Sequence, residues 1–201
     1  VADSSQLVPA IGSGIVPAYG MGSSMVGESS VLSVAPVAGD LAETIETRLS
    51  GEMKTVVDDL KNPVEVYEFV KNNFDYESYY GSKKGAIGTF SQKSGNDYDQ
   101  ASLLIGLFRY KGIPARYVSG VIEVSSEMAM DWTGTESGEA AFNVLKMMGV
   151  PCNALTDGGA VSGVLMEHTW VEAYVPYDNY RGIGDVSGDS VWVPLDPSFK
   201  G

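Results

Sequence analysis

Gly95 to Val118 reads GNDYDQASLLIGLFRYKGIPARYV, and the way this stretch divides decides the fold. Ala101, Leu104, Ile105 and Phe108 recur at spacings of three and four, which predicts a helix from roughly Tyr98 to Lys111. Leu103 and Leu107 beside that stripe predict burial on two sides. Gly112 is the expected C-terminal glycine, Pro114 prevents continuation, and Ala115 to Val124 alternates and β-branches as a strand does. At the other end, Asp97 with Gln100 three residues later has the capping-box pattern, which predicts Asp97 as the cap.

Toward the N-terminus, Asn62-Pro63 starts another predicted helix, because a ring without an amide proton suits the first helical position; its inward face is Val66, Phe69, Val70 and Phe74. A further helix is expected from Asp40, with Glu43 completing a capping box and Leu41, Ile45, Leu49, Met53, Val56 and Leu60 forming one apolar face. Asp75 to Gly95 reads as a polar loop. Residues 1–37 are rich in Gly, Ser, Ala, Pro and Val and read as an extension laid against the domain through Val31, Leu32, Val34 and Val37. Starting at Val1, the chain is expected to be a processed or excised piece.

Toward the C-terminus the helix, glycine, proline, strand order repeats: a short helix from about Gly138 to Met148, then Gly149-Val150-Pro151 and a strand that opens at Cys152. Residues from about 125 to 165 are expected as an insertion in a domain spanning 38–201. In EHTWVEAYV, alternation puts His168, Trp170, Glu172 and Tyr174 on one face and Thr169, Val171, Ala173 and Val175 on the other. A Gly/Asp-rich hairpin loop, PYDNYRGIGDVSGDS, leads to a last strand from Val191 to Asp196.

The 201 residues, 44% of them hydrophobic, suffice for one sizeable domain. No window approaches the roughly 18 consecutive apolar residues of a membrane span. Thirteen basic against 26 acidic residues give a net charge of −13, which repels nucleic acid phosphates and anionic lipid. A single cysteine, Cys152, excludes an internal disulfide framework and a cysteine-based zinc site.

The ordered motifs GNDYDQASLLIGLFRYKGIPARYVSG, EHTWVEAYV and WVPLDPS resemble the core of the transglutaminase-like superfamily, relatives of papain-type cysteine proteases. The resemblance implies an α+β fold with the central helix packed on an antiparallel sheet. It also implies a nucleophilic cysteine opening that helix, a histidine beginning one strand and an aspartate ending the next. Those positions carry Asp97, His168 and Asp196, and Gln92 falls where papain relatives aim an amide at an oxyanion. In the family the helix dipole and an imidazolium favour the thiolate. A carboxylate, with an ordinary pKa of about 3.9, is already ionised and is a poor attacking group for an amide.

Two substitutes for the missing thiol chemistry fail on the residues. Cys152, in MMGVPCNAL, has no cation or helix start beside it. Asp97, His168 and Asp196 as a metal site would need two acids on one side of an imidazole that the family arrangement addresses from opposite nitrogens. No metal or cofactor is expected. Trp132, Trp170, Trp192 and the Tyr76 to Tyr80 segment are candidate groove residues, Arg116 is expected to pair structurally, and Asp178, Asp185 and Asp189 match no regular calcium loop. The functional expectation is a binding module for a peptide, protein or glycan, secreted or in the cell envelope. The alternative is an active hydrolase or acyl transferase working through Asp97 and His168.

Overall fold

The computed structural model describes residues 35–176 and 190–200. A 3-10 turn at Ala38–Asp40 precedes α1 (Gly51–Asp58), α2 (Pro63–Asn73), β1 (Asp75–Tyr76), α3 (Gly85–Gln92), β2 (Ser94–Gly95) and α4 (Asp97–Tyr110). Then follow β3 (Ala115–Ser125), α5 (Ser126–Thr133), α6 (Gly138–Met147), β4 (Cys152–Asp157), β5 (Ala160–Pro176) and β6 (Ser190–Leu195).

α4 is the buried axis expected from its sequence. Ala101, Leu103, Leu104, Ile105, Leu107 and Phe108 all lie in one core with Val66, Val70 and Phe74 of the α2 region and Val171, Ala173, Val193 and Leu195 of the sheet. Gly112, at φ 74°, provides the left-handed C-terminal residue that turns the chain toward β3. Midway along the helix, a Cβ on Gly106 would stand 2.3 Å from the carbonyl oxygen of Thr47, so only glycine lets that segment cross here.

The sheet is antiparallel and centred on β5. β3 pairs one side of β5 from Gly163 to Ala173. On the other side, β4 pairs Ala160 to Met166 and β6 pairs Val171 to Pro176. Between them neither strand reaches His168, Thr169 or Trp170. One face of β5 packs on α4, while Val164 and Met166 on the opposite face join Val124, Ala129, Trp132, Ala141 and Leu145 in a second core. The stretch read as an insertion thus folds as α5, α6, β4 and the start of β5.

Three expectations are corrected. No helix starts at Asp40: its carboxylate accepts from the Val37 amide at 2.8 Å, and α1 begins at Gly51 with Ser50 accepting from the Met53 amide at 3.3 Å. Thr44 and Thr47 bond each other's backbone and hydroxyls, a local alternative to the helical ladder, and this leaves Ile45 75% exposed. The polar loop from Asp75 to Gly95 contains β1, α3 and β2, because Ala86, Thr89 and Phe90 bury one face of a short helix. Val37 is exposed and makes no core contact, whereas Val31, Leu32 and Val34 lie outside the described residues.

Candidate functional site

The first turn of α4 enters the gap between β4 and β6. Its cap is Asn96, whose side chain accepts from the Asp99 amide at 2.9 Å; Asp97 is therefore the first helical residue and not the cap. Gln100 is not its capping partner either, since its amide nitrogen donates to the carbonyls of Asp75 and Gly95 at 3.1 and 2.8 Å. Asp97 Oδ2 accepts from the Thr169 amide at 2.7 Å, at the place where β5 lacks a neighbouring strand on that side.

The same oxygen stands 3.4 Å from His168 Nδ1, an ion-pair distance when the ring is protonated, but is not aligned for a hydrogen bond, and that nitrogen is buried without a hydrogen-bond partner. The other ring nitrogen, Nε2, is 2.6 Å from Asp196 Oδ2. Asp196 follows β6 and is held in turn by Ser198, whose amide and hydroxyl donate to Oδ1 at 3.0 and 2.6 Å. Tyr67 Oη donates to the Asp196 carbonyl at 3.1 Å, fixing the backbone on the opposite side. The two acids address opposite nitrogens of one ring, an arrangement that a single ion cannot share. Among the described residues no group of three histidine, cysteine or acidic side chains is placed to hold a metal.

Aromatic rings close over the imidazole. Trp132 of α5 stacks on it with centroids 5.6 Å apart, and Phe199 meets it edge-on at 5.6 Å. Tyr76 stacks on Trp132 at 4.5 Å, which makes a three-ring pile with His168 at its base. The His168 side chain is 0% exposed, while those of Asp97 and Asp196 are 14% and 16% exposed, so solvent touches the carboxylates and not the ring.

Burial by itself would draw the His168 pKa down, but Asp196 and then Asp97 outweigh it and hold the imidazole above its ordinary value. Burial also pushes Asp97 up, and the His168 charge and the amides of Thr169 and Tyr98 offset only part of that push. The two directions agree physically: at 3.4 Å the pairing does not fully replace the water that Asp97 has lost. Burial pushes the Tyr76 phenol well up, with the charges of Asp97 and Asp196 acting in the same sense. The site can orient an imidazole and hold a proton between it and two carboxylates.

Other sequence candidates lie apart from this cluster. Gln92 ends α3 and is exposed, with its carbonyl accepting from Ser94 Oγ at 3.4 Å. Arg116 makes two bonds of 2.9 and 2.7 Å to Glu172 directly across from it in β5 and lies 4.0 Å over Trp192. Cys152 opens β4 opposite Met166, and burial pushes its thiol up. Trp170 and Trp192 are buried, and the segment carrying Asp178, Asp185 and Asp189 lies outside the described residues. Ser198 and Phe199 escaped the sequence reading. An Asp-Pro-Ser turn pattern points to a serine that bonds back to the aspartate, but nothing local marks the phenylalanine.

No helix of the described residues is long and apolar enough to cross a membrane. No curated protein matches the chain. Among solved structures, a Cytophaga hutchinsonii protein assigned as a cysteine protease aligns over 80% of this chain and 41% of its own, with 18% identity and a TM-score of 0.42. The periplasmic domain of TgpA from Pseudomonas aeruginosa, bound to ethylmercury, aligns over 79% of this chain and 47% of its own, with 17% identity and a TM-score of 0.42. This chain therefore spans less than half the length of either. The sequence profile described as the transglutaminase-like superfamily matches residues 47–197, which include α4, His168 and Asp196, and the chain belongs to that superfamily.

Proposed function

We propose that this transglutaminase-like domain lacks thiol chemistry and serves as a binding module for a peptide, glycan or protein partner. The observation that carries the reading is the engagement of Asp97. It opens α4 on the Nδ1 side of His168, with Asp196 on the Nε2 side, which is the place that the family resemblance gives to the cysteine. Its Oδ2 is already bonded to the Thr169 amide. A carboxylate needs no activation there, and its attack on an amide would give an anhydride that reverts more readily than it proceeds. The rings of Trp132 and Phe199 support the same reading, because they cover the imidazole that would have to serve as base. Cys152 offers no substitute, since burial raises its thiol by more than the Lys146 charge lowers it.

The test measures hydrolysis of casein and of glycan-linked peptides, and incorporation of a fluorescent amine into a glutamine peptide. No turnover is expected, and iodoacetamide should label no residue other than Cys152. Turnover that disappears in both Asp97→Asn and His168→Gln would overturn the reading and establish an acid-based hydrolase or acyl transferase. In a folded Asp97→Cys variant, the new thiol is expected to react with iodoacetamide faster than Cys152, because the helix start and His168 favour the thiolate. A slower reaction would remove position 97 from the nucleophile role.

A further inference from the structure

We propose that the outer edge of β3 is a docking site for an extended peptide strand that alternates cationic and apolar residues. β3 runs in unbroken register with β5 over 11 residues. The Tyr174 amide bonds the Pro114 carbonyl, one position before β3, so even-numbered residues of β3 bond β5 and odd-numbered ones turn their amides and carbonyls outward. The outward carbonyl of Ala115 agrees, because Arg109 holds it at 3.1 and 2.8 Å. From Tyr117 to Glu123, among the described residues, no strand takes up the outward groups. Ser119, Val121 and Glu123 are exposed, Val121 to 62%, so this edge faces solvent. Lysine, proline or a bulge commonly blunts such an edge, and β3 has none of them.

The side chains beside the edge set the chemistry of the added strand. On the face of the odd residues, Glu123 stands exposed and Glu167 lies directly across from Val121 in β5, while Glu46 and Arg109 offset each other near Tyr117. On the other face Val118 and Ile122 are half-buried, and Arg116 is paired with Glu172. An added strand therefore meets carboxylates on one face and apolar groups on the other, with Val121 placed to pack lysine stems. A second copy of the chain fits poorly, because each copy carries a charge of −13 and β3 offers no lysine to its own carboxylates. Docking here does not depend on the chemistry of His168, since β3 lies on the opposite side of β5 from the gap that Asp97 fills.

The probe is a blocked peptide of alternating lysine and valine, long enough to span Tyr117 to Glu123, added to the native chain and followed by amide hydrogen exchange. In the free chain the amides of Ser119, Val121 and Glu123 should exchange faster than those of Val118, Gly120 and Ile122, which bond β5. At nine-tenths occupancy the peptide should slow the first three roughly tenfold, since only the unbound fraction exchanges. Proline in place of the peptide's valines, or glutamate in place of its lysines, should abolish binding. Val121→Pro removes one outward amide without taking a bond from β5 and should weaken binding roughly tenfold. Should that variant not fold, Glu123→Lys, at an exposed side chain, is expected to weaken binding severalfold. Absence of binding, binding that leaves the three amides exchanging freely, equal binding of the proline peptide, or protection of these amides in a dimer without peptide would overturn the proposal.

Discussion

Asp97 and Asp99 leave the first turn of α4 for two different regions, the sheet gap and the loop before α3. Asp99 is fully buried, and it accepts from Tyr79 Oη at 2.6 Å and Ser82 Oγ at 3.2 Å. The amides of Lys83, Lys84 and Gly85 donate to it at 3.1, 3.0 and 2.9 Å. Successive backbone amides curled around one anion form a nest, so the loop supplies the solvation that burial removed. Asp97 receives the Thr169 amide and faces a ring nitrogen with no partner. One carboxylate is surrounded by fixed donors and serves architecture. The other depends for its balance on a group that gains and loses a proton, and such a place can respond to a ligand or to pH.

The contrast breaks first at Asp99. Removing its carboxylate orphans three amides at once, so Asp99→Ala should cost about 4 kcal/mol in urea unfolding. A loss below that of Asp97→Asn would contradict the division between the two regions. Next comes the ring pile: Trp132→Ala is expected to cost about 3 kcal/mol through the cavity it leaves. It should also make His168 react with diethyl pyrocarbonate, which the native chain resists; unchanged protection would mean that Trp132 is not the cover.

The smallest effect in stability is the most diagnostic of the site. Asp97→Asn keeps an acceptor for the Thr169 amide and should cost only about 1 kcal/mol. It should lower the His168 pKa, because Asp97 is one of the charges holding it up. His168 is the chain's single histidine, so its NMR titration is unambiguous. A raised folded-state value contributes stability in full below the unfolded pKa of about 6.5, and that contribution is lost as pH rises through the folded value. Asp97, also raised, acts in the same direction over the span above its unfolded value of about 3.9. Native stability should therefore fall as pH climbs through neutral, and more shallowly in Asp97→Asn. A native midpoint at or below the ordinary histidine value, or one that Asp97→Asn leaves unmoved, would sever the link between Asp97 and His168.

Much of this was legible in the chain, and where it was not the reason is specific. The apolar stripe of α4, Gly112, Pro114 and the alternation through His168 are short-range signals, and they located both the central helix and the histidine. Asn96 and Asp97 are equally good caps locally, so the pattern was degenerate by one residue. The Thr169 amide, 72 positions away, needs the Asp97 carboxylate and so leaves the cap to Asn96. The stripe from Leu41 to Leu60 was as regular as that of α4, yet Thr44 and Thr47 bonded locally and Ser50 began the helix ten residues late.

The sequence by itself determined α2, α4, α6 and the strands β3 to β6, because helix periodicity, glycine and proline punctuation and strand alternation act within a few residues, and the resemblance of its motifs pointed to the two acids and the histidine. Tertiary structure alone decided which nitrogen each acid faces and that Trp132 and Phe199 cover the ring. Those outcomes depend on distances between residues far apart in the chain, and such distances exist only once β4 and β6 have left their gap along β5 and the first turn of α4 has filled it.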